Sequence, residues 1–221
     1  MSGLGYAGQA GYPYSVEHES VGGLKKRSMA WLDVCLPAVS VVAVFSARIF
    51  ELGTKRDTVP GTVREKLTLR LFIVAGVIML VSVLVELVVS QRRIFWLAFV
   101  IGWFMALASF GIRRRAIAAL GQFWSLHVEI RDNHQFVRTG PFRWLRHPTY
   151  FSMILELASV AVIAASFWSL LIIPVIFFPI LLFRLRIEEG ALVEKFGAKY
   201  VDYQRTTPAI FPYRIPAKPS L

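Results

Sequence analysis

Arg138-Thr-Gly-Pro-Phe-Arg-Trp-Leu-Arg-His-Pro-Thr-Tyr-Phe151 sets a cationic loop directly against an apolar run. A second polar stretch, Arg184-Leu-Arg-Ile-Glu-Glu189, follows where that run ends. Between them lie the apolar blocks 149–165 and 167–183, joined around Ser166. The chain therefore enters and leaves a hydrocarbon layer as a tight hairpin with a charged cluster at each foot. Two such clusters mark a site at a membrane face. Upstream lie three more apolar blocks, 31–50, 69–90 and 94–110, the last continued helically through 111–120. Each block is near the ~20 residues that cross a bilayer as helix, the last two being short. An isolated strand cannot satisfy its backbone in lipid, so helix is the default. The expected fold is all-α: a polytopic membrane bundle of about five transmembrane helices with a C-terminal helical hairpin.

Composition agrees. Of 221 residues, 56% are hydrophobic, and 25 basic against 14 acidic residues give a formal charge of +11. The basic residues sit between apolar blocks, as loops flanking spans do, and not on one face, so nucleic acid is not the expected partner. Cys35 is the single cysteine, which excludes an internal disulfide and a cysteine zinc site; inside an apolar run it reads as a packing residue. His18, His127 and His134 form no zinc constellation, and no metal is expected. Residues 1–30 begin with a Gly-, Tyr- and Ser-rich stretch without an apolar core, which reads as a disordered tail and not a cleavable signal.

Counting crossings puts the loop 51–68, the loop 113–148 and everything after Arg184 on one side. That side carries Lys55, Arg56, Arg64, Lys66, Arg113, Arg114, Arg115, Arg131, Arg138, Arg143 and Arg146. The other carries Lys25, Lys26, Arg27, Arg92 and Arg93. The positive-inside rule makes the richer face cytoplasmic and the N-terminus external. Pro174 and Pro179 should kink the last span and free carbonyls.

Thr149, Ser152, Glu156 and Ser159 fall on one helical stripe. An ionised carboxylate facing lipid costs ~2.5–3.5 kcal/mol, so the stripe should turn inward. Two readings stand: close packing with a protonated or paired Glu156, or the lining of a substrate site. Glu86 has the same two readings. Arg48, near a span end, is expected to snorkel to the interface.

Pro148 belongs at the first position of the fourth span, with His147 at the N-cap. The helix start, helped by Arg143 and Arg146, then offers a seat for a carboxylate or phosphate. The other reading is a plain headgroup anchor. Glu188 and Glu189 open a polar helix, and neighbouring carboxylates point different ways, so one can face the loop while the other faces water. A carboxylate suits ribose hydroxyls, an amine or a sulfonium.

Taken together, Gly121 with Phe123-Trp124, His134 then Val137, Thr139-Gly140-Pro141-Phe142, Arg146-His147-Pro148-Thr149-Tyr150, Glu188-Glu189, Phe196-Gly197, Tyr200, Tyr203 and Pro208 resemble the isoprenylcysteine carboxyl methyltransferase family of integral membrane enzymes. The resemblance covers about half the chain, from Arg113 to Tyr213. It implies S-adenosyl-L-methionine in a cytoplasmic pocket lined by His134, Val137, Gly140, His147, Tyr150, Glu188 and Glu189. It places Arg113 near the acceptor, a lipophilic molecule such as a prenylcysteine, and gives Arg186 or Arg184 the place of a family arginine. It divides the chain into a tail (1–30), N-terminal transmembrane helices (31–112) and a methyltransferase-like region (113–221).

From the chemistry itself, a carboxylate acceptor is ionised at neutral pH and needs no base, so Arg113 would align it bidentately. An amine or phenol acceptor needs a base, for which Glu156 or one of the paired glutamates is the candidate. Phospholipid N-methyltransferases share the His-Pro and Glu-Glu elements. A sterol-type NADPH reductase and a non-enzymatic scaffold binding anionic lipid are the competing classes.

Overall fold

A computed structural model describes residues 16–53, 61–65, 67–90, 92–121, 128–131 and 137–214, with side chains described except at 16–30, 61–65 and 128–131. Seven helices appear there: α1 (Val16–Gly53), α2 (Leu67–Ser90), α3 (Trp96–Leu120), α4 (Pro148–Ile163), α5 (Phe167–Leu170), α6 (Phe178–Phe196) and α7 (Ala198–Thr206). Four stretches are long and apolar enough to cross a membrane: Trp31–Gly53, Leu67–Ser90, Trp96–Leu120 and Phe167–Phe196; α4 is a shorter apolar helix. The bundle is helical, as the apolar blocks require.

Two features depart from expectation at its edges. Helix α1 starts at Val16, so 16–30 is not a loose tail; the stretch contains no proline, and a helix nucleated in the span propagates backwards at little cost. A two-stranded antiparallel ribbon, β1 (Gly61–Glu65) with β2 (Val128–Arg131), joins the loops after α1 and after α3. Its β-branched residues, Thr62, Val63, Val128 and Ile130, favour the extended state. The ribbon brings together the two loops that parity places on one side.

Helix α2 buries Thr68, Phe72, Ala75, Met79, Val83 and Leu87, one stripe at helical spacing. They pack with Val41 and Val44 of α1, Leu157 and Val160 of α4, and Leu181 of α6. The outward residues Val74, Val77, Val81, Val85 and Val88 are exposed and apolar, as a lipid-facing surface needs. Cys35 is also exposed, so it does not pack in the core as expected. The sequence division at residue 113 falls inside α3, and helices from both sides of it share one core.

At the end opposite the ribbon, Asp33 Oδ1 accepts from the Ile94 amide at 3.3 Å. Glu86 accepts from the Ser169 amide (3.0 Å), the Ser169 hydroxyl (2.9 Å) and the Trp168 amide (3.3 Å). Glu86 is thus a paired residue that caps the start of α5. After α5 the chain makes a π-turn over Ile173–Phe177 that contains Pro174. A proline lacks the amide for a regular turn, and the helix widens there before α6 begins.

The tightest seam joins α3 and α4. Gly102, Ala106, Ser109 and Arg113 of α3 face Ser152, Glu156, Ser159 and Ile163 of α4, and all eight are buried. Ser109, Ser152 and Ser159 donate to carbonyls of their own helices (Ala106, Thr149 and Glu156, 2.6–2.7 Å), so they act as small packers with satisfied hydroxyls. A Cβ on Gly102 would lie 2.6 Å from Ile163 Cγ1, 2.7 Å from its amide nitrogen and 2.9 Å from the Ser159 carbonyl oxygen. Gly102→Ala is therefore expected to lower stability in detergent by about 1–3 kcal/mol. Gly111→Ala in the same helix, with nothing within 4 Å of its Cβ, is expected to be neutral or stabilising. Thermal unfolding of the two variants checks this; equal melting temperatures would contradict the seam.

Candidate active site

Two polar networks meet beside one apolar cavity. The first is a buried ion cluster. Arg113 reaches across the α3–α4 seam and donates Nη1 to Glu156, while its Nε donates to Glu51 of α1 at 2.7 Å. Arg48 donates to the same Glu51 oxygen at 3.1 Å. Arg113 is only 2% exposed, so its charge needs these carboxylates. Glu156 is paired, as the packing reading of the stripe expects, and it also lines the cavity. Arg48 does not snorkel as expected, because a carboxylate one turn ahead holds it inward. Nor is Arg113 an open fork awaiting a substrate carboxylate: two of its three nitrogens are taken. Its Nη2 and Glu51 Oε1 are buried and lack a hydrogen-bond partner among the described residues.

The second network is built at the start of α4. His147 is the N-cap and Pro148 the first helical residue, as the sequence predicts. The preceding segment is pinned to the C-terminal chain by two backbone bonds, from the Arg146 amide to the Pro208 carbonyl and from the His147 amide to the Ala209 carbonyl, both 2.9 Å. Arg146 then serves as a strut. It donates to Glu189 at 2.7 Å and to the carbonyls of Gln204 (2.8 Å) and Thr207 (2.6 Å). Arg143 is exposed. Arg146, spent on this strut, is not left to strengthen an anion seat at the helix start, a correction to the sequence reading. The His147 ring sits between the two carboxylates, with Nε2 3.2 Å from Glu189 and Nδ1 3.7 Å from Glu188, and stacks on Tyr150 at 5.3 Å between centroids.

Tyr150 donates its hydroxyl to Glu188 and receives a hydrogen bond from Arg184 at 2.9 Å; Arg184 also donates to Thr68 at 3.0 Å. Glu188 and Glu189 do not open a new polar helix. They lie inside α6, and both face the network, Glu188 toward Tyr150 and Glu189 toward Arg146, His147 and Gln204. Arg186 is exposed and takes no part, whereas Arg184 is buried within the network. Two helical positions are 200° apart, so only one of the pair can face inward. Helix α6 ends at Gly197 (φ 56°), and the turn brings back α7 with the buried Tyr200 and Tyr203. Tyr203 donates to the Phe142 carbonyl. Burial pushes its phenol well above the ordinary range, so it remains a donor at neutral pH.

Gly140 (φ 58°) is exposed and Val137 half-buried at the loop before α4. His134 lies outside the described residues.

The cavity holds about 280 Å³ and is walled by Phe45, Leu69, Phe72, Gly76, Leu80 and Met153. Ile49, Ile73 and Val77 also line it and are each more than half exposed, so it opens toward hydrocarbon between α1 and α2. Its polar end is Arg48, Arg113 and Glu156, with Tyr150 and Arg184 beside them. Missed in the sequence were Glu51 and Arg48 as site residues. Their only signal was a carboxylate and an arginine one helical turn apart at a span end.

Fold and site together define a polytopic membrane protein with a charged site at the head of an apolar cavity. Residues 100–194 match the isoprenylcysteine carboxyl methyltransferase (ICMT) family. A protein-S-isoprenylcysteine O-methyltransferase of Saccharomyces cerevisiae is 26% identical over 116 residues, 52% of this chain and 48% of that protein. The uncharacterized protein YpbQ of Bacillus subtilis is 26% identical over 83 residues, 38% of this chain and 49% of that protein. The solved structure of the eukaryotic intramembrane Ras methyltransferase ICMT superposes with a TM-score of 0.55 and 26% identity over 64% of this chain and 52% of that one. Through this region the chain is similar to the ICMT family, and its apolar helices make it an integral membrane protein. It spans about half the length of the curated relatives it matches.

Arg146→Ala is expected to cost about 2–3 kcal/mol, because it removes charge-assisted bonds that hold the C-terminal segment on the loop. Arg143→Ala should stay within about 0.5 kcal/mol of wild type. Melting in detergent distinguishes the two; equal losses would contradict the strut.

Proposed function

We propose that the protein is an integral membrane methyltransferase that moves a methyl group from S-adenosyl-L-methionine to a lipophilic acceptor, with the site on the cytoplasmic face. One observation carries this reading. Tyr150 is at once a wall of the apolar cavity and the hydrogen-bond partner of Glu188. A lipid in the cavity and a polar cofactor at the carboxylates would therefore lie on either side of one side chain.

The residues fit the cofactor. Glu188 is 32% exposed, and its Oε1 comes no nearer than 3.7 Å to His147 Nδ1, so it is open to a ribose hydroxyl or an amine. Glu189 and Arg146 fix the helix that carries it, and the exposed Gly140 leaves the loop backbone accessible. Val137 and Gly140 would border the same pocket. When bound there, the cofactor supplies an electrophilic methyl group on a sulfonium. The chain itself orients and shields. The cavity takes the acceptor's apolar part from the bilayer and excludes water, and the Arg113 cluster meets its polar head. Methyl transfer is an in-line displacement, so positioning of this kind can carry most of the rate.

Calorimetry with S-adenosyl-L-methionine on the full chain in detergent tests the reading. Glu188→Ala is expected to weaken binding at least about tenfold, the scale of one charge-assisted hydrogen bond. Its melting temperature should stay near wild type, since Glu188 is partly exposed. Absence of binding by the wild-type protein would overturn the proposal.

A further inference from the structure

Two residues along from three of the buried network positions stands an exposed arginine. Arg70 follows the buried Thr68 on α2, Arg115 follows the buried Arg113 on α3, and Arg186 follows the buried Arg184 on α6. A step of two residues turns a helix by about 200°, so each of these arginines lies on the face turned away from the site. Those faces are the ones that meet lipid. On α2, Arg70 continues the exposed stripe of Val74, Val77, Val81, Val85 and Val88 at spacings of three and four. On α3, Arg115 ends the exposed line of Phe104, Ala108 and Gly111. On α6, Arg186 ends that of Pro179 and Phe183. Arg184 donates to Thr68 at 3.0 Å, which sets α2 and α6 level, and Arg113 and Arg184 wall one cavity. A two-residue step adds only about 3 Å of rise, so the three exposed arginines ring the site end of the bundle. Among the described residues none of the three pairs with a carboxylate.

The opposite end of the bundle is built differently. There the lipid-facing surface closes on Phe95 and Trp96 before α3 and on Phe167 and Trp168 in α5, all more than half exposed. Arg92 and Arg93 are exposed at that end but lie in the short loop between α2 and α3, not on a helix face. A cation that ends a hydrocarbon-facing stripe lies at the level of the lipid phosphates, its stem over apolar surface and its head among the headgroups. We propose that the ring of Arg70, Arg115 and Arg186 is an interaction surface for anionic phospholipid, gathering headgroups of net negative charge around the site end of the protein. A guanidinium meets a phosphate with two parallel hydrogen bonds. A zwitterionic headgroup brings an ammonium with its phosphate, and the two opposite charges cancel most of the attraction to the arginine. A headgroup of net charge −1 keeps it. Arg70 is flanked in α2 by Leu69 and Ile73, which line the cavity, so one such lipid borders the opening between α1 and α2. The inference does not depend on methyl transfer and stands on lipid binding alone.

The test places the full-length protein in phosphatidylcholine bilayers with trace spin-labelled phosphatidylglycerol or spin-labelled phosphatidylcholine of the same chain length. Electron spin resonance reads the relative association of each lipid with the protein. One basic residue near the surface is worth about fivefold in the occupancy of a neighbouring anionic lipid. Averaged over the whole lipid shell, wild type is expected to prefer phosphatidylglycerol at least about twofold. The preference should shrink as salt shortens the screening length from about 10 Å to about 3 Å. Arg70→Gln/Arg115→Gln/Arg186→Gln should lose most of it while melting near wild type, since none of the three is paired. Each single substitution should lose part of it, which keeps the proposal testable if the triple variant does not fold. Equal association of the two lipids with wild type overturns the proposal. So does a preference unchanged in the folded triple variant or in all three single variants. An equal loss in Arg92→Gln/Arg93→Gln overturns it as well, because the preference would then belong to surface charge in general and not to the ring.

Discussion

A guanidinium buried between helices in an apolar bundle has to be matched by carboxylates, and Arg113 meets that demand by drawing on Glu51 and Glu156. The demand shapes the architecture around it. Helices α1, α3 and α4 converge at one point. Gly102 and the small residues below it let α3 and α4 approach closely enough for Arg113 to span the seam. The cavity forms where α1 and α2 stand apart from this seam, and its head is the ion cluster itself. Removing one partner would strand a charge in low dielectric, so the cluster is either complete or expensive.

The C-terminal segment solves a different problem. A loop leaving a bundle has many backbone groups to satisfy, and here one arginine satisfies two of them. Arg146 holds the carbonyls of Gln204 and Thr207 while its other nitrogens bind Glu189. That fixes α7 over the start of α4 and leaves Glu188 as the partly exposed carboxylate. The adjacent glutamates differ in setting, Glu189 held by Arg146, His147 and Gln204 and Glu188 bonded to Tyr150 and partly exposed. Tyr150 and Arg184 of this network line the same cavity as Arg113 and Glu156, which under the proposed function would give the cofactor and the acceptor a shared wall.

Much of this was legible in the sequence because hydropathy and parity are local or countable. The apolar blocks gave the helices, and an odd or even number of crossings placed three loops on one side, where the β1–β2 ribbon and both networks lie. His147, Tyr150, Glu188 and Glu189 came from short ordered motifs and do converge. What stayed hidden depends on phase and distance. Arg184 rather than Arg186 faces inward because the helix register decides it, and a charged pair two residues apart carries no register of its own. Glu51 pairs with a residue far along the chain, and no local pattern announces such a partner. The start of α1 at Val16 was missed because a Gly- and Ser-rich beginning says little about how far back a helix propagates.

The account turns on a lipid receiving a methyl group. Mass spectrometry of a membrane lipid extract incubated with purified protein and isotope-labelled S-adenosyl-L-methionine tests that directly. The account predicts that a discrete lipophilic species gains one labelled methyl with wild-type protein and that Glu188→Ala largely abolishes the gain. An extract in which no species is labelled by a folded, cofactor-saturated protein would contradict it.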